Sequence, residues 1–118
     1  MKNMRDLSNR LRKVTLLEQE YYLAISNNII DGLEEILGDL SKLPKKFNPT
    51  FAQCKEIFYI MFEEGTKLHN FITKQKEPLV DREEVEILLG YANEEEMEEV
   101  NKAINELMTS FYGEQKQK

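Results

Sequence analysis

Three helix-start signals, each followed by apolar residues at three- and four-residue steps, dominate the chain from residue 48 onward. Asn48-Pro49-Thr50 precedes Phe51, Cys54, Ile57, Phe58, Met61 and Phe62, which share one face of a helix. Proline suits that first turn, where its missing N–H would have no helical partner anyway. Asp81 stands three residues before Glu84, the spacing of a capping box, and leads into Val85, Leu88 and Leu89. Asn93 and Glu96 repeat the spacing ahead of Met97, Val100, Ala103, Ile104, Leu107 and Phe111. Glu94, Glu95 and Glu96 fall in that helix's first turn, where the positive end of the helix dipole favours them.

The same reasoning sets the remaining boundaries. A helix is expected from Asn27 or Asn28, with the stripe Ile29, Leu33, Ile36, Leu37 and Leu40, ending before Pro44. Pro44 and Pro49 bracket a loop. Gly65 is expected to interrupt the long helix, because glycine in a helix interior costs about 1 kcal/mol relative to alanine. A further stretch through Leu68, Phe71 and Ile72 then runs toward Pro78. Gly90 and Gly113 are expected just past two helix ends.

Residues 14–25 admit two readings. Val14-Thr15-Leu16-Leu17 and Tyr21-Tyr22-Leu23-Ala24-Ile25 are rich in β-branched and aromatic side chains, which favours two short strands. The turn between them would lack glycine, and Leu7, Leu11, Val14, Leu17, Tyr21 and Ile25 also fit a helical repeat. The expected fold is mainly α: a small helical domain of four to five helices, with room for one short N-terminal β-hairpin. It covers residues 14–113, between a leader, 1–13, and a polar, frayed tail, 114–118.

Composition narrows the function classes. The net charge is −6, so a general phosphate-binding surface is not expected. The one basic stretch, Arg5, Arg10, Arg12 and Lys13, includes Asp6 and reads as a solvated amphipathic leader. No apolar run approaches the ~18 residues of a membrane span. Neither nucleic acid nor membrane is an expected partner, and the cytoplasm is the expected compartment, the host's for a phage-encoded chain.

Catalytic chemistry has few carriers. His69 is the sole histidine and Cys54 the sole cysteine, so paired metal ligands and a disulfide within the chain are out of reach. Cys54 is expected to be a buried small hydrophobe beside Phe51, Ile57 and Phe58, and His69 an exposed helical residue. The run Glu94, Glu95, Glu96, Glu98 and Glu99 lacks the alternating ligands and glycine turn of a calcium loop. No catalytic, metal or cofactor residue is assigned, and the chain is expected not to be an enzyme.

The most unusual stretch is Phe58-Tyr59-Ile60-Met61-Phe62. A helix buried on one face does not need five large apolar residues in succession. Either its own chain covers it on most sides, or it belongs to a groove or subunit face. The second reading makes Phe58, Met61, Phe62 and Phe71 a partner-binding face, rimmed by Glu64, Lys67 and Lys74, in a chain that self-associates.

The order of features resembles a family. An apolar strand, a short polar break and a strand ending Tyr-Tyr-Leu-Ala-Ile lead into Asn27-Asn28-Ile29-Ile30-Asp31-Gly32-Leu33-Glu34-Glu35-Ile36-Leu37-Gly38. The apolar run up to Gly65 follows, then Pro78 to Leu89 and a last helix ending Phe111-Tyr112-Gly113. Over residues 14–113 this layout is similar to the tail assembly chaperones of long-tailed bacteriophages. The resemblance implies a protein that binds the tape-measure protein, keeps its apolar helices soluble and helps recruit tail-tube subunits during virion assembly. The alternative class is a small acidic inhibitor, phage- or plasmid-encoded, that occupies a host protein by presenting Glu94–Glu99 as a nucleic-acid mimic.

Overall fold

The computed structural model describes residues 10–38 and 50–116, with side chains as far as Phe111. The chain opens on an antiparallel hairpin of β1 (Leu11–Leu16) and β2 (Gln19–Ala24). A 3-10 turn at Asn27–Ile29 leads into α1 (Ile30–Leu37), and α2 (Phe51–Thr73), α3 (Arg82–Tyr91) and α4 (Glu94–Lys116) follow. The fold is mainly helical with one strand pair, as expected. Of the two readings of residues 14–25, the strand pair is the one the molecule adopts. It starts earlier than expected, because Leu11, Arg12 and Lys13 belong to β1 and not to a solvated leader. Arg12 Nε donates to Glu106 Oε1 of α4 at 3.3 Å, which ties that end of the strand to the body.

Alternation explains the hairpin's inner face. Val14 and Leu16 are buried while Lys13 and Thr15 are exposed, and Val14 lies directly opposite Tyr21. The glycine-free turn is made by Leu17 and Glu18, at φ 48° and 69°. Positive φ at both central residues is what a two-residue type I′ hairpin turn requires. Two non-glycine residues accept it because contacts at either side fix the turn. Leu16 is fully buried, and the Leu17 N–H donates to Glu96 Oε2 at 3.0 Å. Glu18→Gly is expected to stabilise the protein by about 1 kcal/mol, because relief of left-handed strain outweighs the added chain entropy of glycine. Denaturant midpoints of Glu18→Gly and Glu18→Ala check this; only the glycine variant should gain.

α2 does not break at Gly65. It runs unbroken for 23 residues, and Gly65 is buried within it. A Cβ at that position would lie 2.2 Å from the Tyr22 carbonyl oxygen and 2.7 Å from Leu23 Cα. Leu16 and Gln19 close the turn, so the alternation of an antiparallel pair turns the Tyr22 carbonyl away from β1, toward the free edge of β2. α2 therefore lies against that edge and shields it from pairing with another strand. The glycine permits this close approach, and its weak helix propensity is outweighed by the contact.

Most helix starts follow side-chain chemistry. Thr50 and Gln53 form a reciprocal capping box for α2, Thr50 being the cap of the expected start signal. Asp81 Oδ1 accepts from the Glu84 N–H at 2.8 Å, and Asn93 and Glu96 exchange both bonds at 2.8 and 2.9 Å. Ser26, not Asn27 or Asn28, caps the 3-10 turn by accepting from the Asn28 N–H.

The helix ends differ more from expectation. α1 stops at Leu37, because Gly38 sits at φ 83°, where few other residues go. Gly90 lies inside α3, which ends at Tyr91 when Ala92 turns extended, and Gly113 lies inside α4, which continues to Lys116. Glu114–Lys116 of the expected tail are thus helical. Residues 1–9, Leu40, the loop between Pro44 and Pro49, and residues 117–118 lie outside the described residues. One hydrophobic core joins all elements, with Leu16, Leu23, Leu33, Phe58, Met61 and Ile104 fully enclosed.

Candidate partner-binding surface

The expected binding face does not form as a surface. Phe58, Met61 and Phe62 are buried in the core, and only Phe71 is exposed, at 56%. The reason is that the protein's own chain covers α2 around its circumference. Phe62 meets Tyr21 edge-on at 5.1 Å and stacks with Phe58 at 5.6 Å. Tyr59, on another side, lies under the Arg82 guanidinium at 4.5 Å, and Arg82 is bonded in turn to Glu56. Ile60 faces α1, where a Cβ on Gly32 would be 3.5 Å from its Cδ1. The run Phe58–Phe62 needs no second subunit to cover it. Of the expected rim, Glu64 instead accepts from Ser26 Oγ at 2.8 Å, and the Lys74 ammonium lies 4.9 Å over the Phe71 ring.

The other singled-out residues have structural roles. Cys54 is buried, and its Sγ lies 3.4 Å from Asn101 Oδ1; burial pushes the thiol up to about 11, far from a reactive thiolate. Phe51 does not join it in the core but lies exposed under Lys55. His69 is half-buried, its ring stacked on Tyr22 at 3.9 Å and 12°, with Nε2 3.3 Å from Gln75 Oε1. Glu96 leaves the solvated acidic run altogether. One of its oxygens caps α4 and the other holds the Leu17 N–H of the hairpin turn. Glu94, Glu95, Glu98 and Glu99 remain exposed.

α3 carries the surface that periodicity overlooked. Val85, Leu88 and Leu89 face the core, while Ile87 and Tyr91 are 51% and 75% exposed. They are one turn apart, so they stand on the same outward face, and Gly90 lies on that face between them. A Cβ on Gly90 would meet nothing within 4 Å, which makes Ile87-Gly90-Tyr91 a shallow apolar ledge. Glu83, one turn before Ile87, and Glu86 beside it are exposed and give the ledge an acidic border. The stripe rule selects residues that point inward, so it passes over Ile87 and Tyr91. Their signal in the sequence is that they interrupt an otherwise charged outer face.

Among the described residues, no group of metal-ligating side chains is placed to hold an ion, and no helix is long and apolar enough to cross a membrane. No protein-family model, curated protein or solved structure matches the chain.

Proposed function

We propose that the protein works by holding an apolar helical segment of another protein, in the manner of a phage tail assembly chaperone acting on a tape measure. The Ile87-Gly90-Tyr91 ledge carries this reading. Two exposed large apolar side chains one turn apart, with a gap between them, suit the ridge of a partner helix, and an acidic border keeps the free protein soluble. The element order adds support: a strand pair opens the domain and leads directly into a short helix, as in the layout the sequence resembles.

The test is co-expression of the chain with a tape-measure fragment. The chain should carry the fragment into the soluble fraction, with binding only weakly dependent on salt because the anchors are apolar. Ile87→Asp with Tyr91→Asp should weaken binding about tenfold or more, while the melting temperature stays within a few degrees because both side chains are exposed. A fragment that stays equally insoluble with and without the chain would remove the reading. Loss of binding to a host nucleic-acid enzyme on charge reversal at Glu95 and Glu98 would replace it with the inhibitor.

A further inference from the structure

A cavity of about 160 Å³ lies between β2, the second half of α2 and the strap that joins α2 to α3. Tyr21, Phe62 and Thr66 line it, together with three acidic residues, Glu20, Glu77 and Glu84. The strap is held in place by Asn70, whose amide both accepts from the Glu77 N–H and donates to the Glu77 carbonyl, each at 3.0 Å. Those two bonds imitate a strand partner and fix the outer wall of the cavity.

Two largely buried residues of the lining, Tyr21 and Thr66, carry hydroxyls. Tyr21 is 9% exposed and Thr66 4%, and neither hydroxyl has a hydrogen-bond partner among the described residues. Among the described residues no sealed side-chain oxygen or nitrogen lacks a partner, so both hydroxyls reach solvent-accessible space. Both residues line this one cavity, so a ligand in it can bond to either hydroxyl.

The lining fixes the chemistry of that occupant. No lysine or arginine lines the cavity. Glu20 is paired with Lys13 at 3.2 Å, while Glu77 and Glu84 are in no ion pair among the described residues. Burial, and then the Glu84 carboxylate, hold the Tyr21 phenol above its ordinary pKa, so it stays neutral and its oxygen can accept. An ammonium has three N–H donors and no acceptor, and the residues of the lining carry hydroxyl and carboxylate oxygens to meet them. Phe62, Pro78 and Val80 provide apolar wall for a short alkyl stem. The volume is close to the ~150 Å³ of a cavity that takes benzene, enough for a four-carbon amine and too small for a nucleotide.

We propose that this cavity binds a primary alkylammonium group, the head of a lysine side chain or a free alkylamine. It is separate from the α3 ledge, and neither assignment depends on the other.

The experiment is an amide-resonance titration of the full chain with n-butylammonium chloride. n-Butanol serves as the uncharged match and sodium chloride as the salt control. Butylammonium should move the signals of Tyr22, Thr66, Glu77 and Glu84 to saturation, with butanol weaker by about tenfold or more. Glu84→Gln, at an exposed position whose side chain makes no hydrogen bond or ion pair among the described residues, and Thr66→Val, which keeps the shape, should each weaken butylammonium binding by about fivefold or more. A lysine blocked at both backbone ends separates the sources. Binding equal to butylammonium assigns the site to a partner's lysine, and binding of butylammonium alone assigns it to free amines. Equal response to butanol, shifts scattered away from the cavity, or unchanged binding in both variants would overturn the proposal.

Discussion

Gly65→Ala should cost the protein about 3 kcal/mol or more, although every helix scale favours alanine at that position. Two effects oppose each other. Alanine would gain about 1 kcal/mol of helix propensity. Its Cβ would also stand 2.2 Å from the Tyr22 oxygen, 2.4 Å from the Tyr22 carbonyl carbon and 2.7 Å from Leu23 Cα. All three are backbone atoms, so no flexible side chain can step aside. Normal contact is ~3.5 Å, so β2 would have to lift by about an ångström. That movement separates Tyr21 from Phe62 and opens the core around Leu23. The clash outweighs the propensity, and urea or thermal unfolding should show a much lower midpoint. A variant as stable as the parent would mean that α2 and β2 do not meet at Gly65.

Met61→Asp should have a larger effect still. Met61 is fully buried, and an unpaired carboxylate there costs several kcal/mol against a typical total stability of about 5–15 kcal/mol. At neutral pH the variant should be largely unfolded. The sign of its pH dependence follows from burial, which raises the aspartate's pKa in the folded state above its unfolded value near ~4. The deficit is therefore full above the folded-state pKa and shrinks as pH falls toward the unfolded value. Met61→Leu, close in volume, should cost less than about 1.5 kcal/mol. Circular dichroism across pH checks both variants. A folded Met61→Asp at neutral pH would return this residue to a surface groove.

What the sequence reveals and what it hides divide along a physical line. The caps at Asp81 and Asn93 and the stripe from Val100 to Phe111 depend on residues within a turn or two of one another, and they are legible. Gly65 is not, because its helix propensity is a property of one residue while its reason is a carbonyl 43 positions earlier. The Leu17-Glu18 turn is hidden for the same reason, since part of what holds it is Glu96 on the last helix. The length of the Phe58–Phe62 run shows that α2 is covered on several sides, but not which chain covers it. Arg82 over Tyr59 and Gly32 beside Ile60 answer that only in three dimensions. Gly90 and Gly113 fit a stop pattern because glycine often ends helices, yet a glycine ends one by taking a positive φ, and among the described glycines only Gly38 does so. The cavity is the least legible feature. Tyr21, Thr66 and Glu84 come from three separate elements, and no spacing rule connects them.

The hairpin docks on α2 at Gly65 and closes the apolar run within a single chain. Proton–proton cross-peaks in a sample mixing isotope-labelled and unlabelled protein test it most directly. Strong peaks between the Gly65 and Leu23 α-protons, and between the Phe62 and Tyr21 rings, should arise within one molecule and be absent from the spectrum filtered for contacts between molecules. The same peaks appearing only between labelled and unlabelled molecules would contradict the claim and make Phe58–Phe62 a subunit interface.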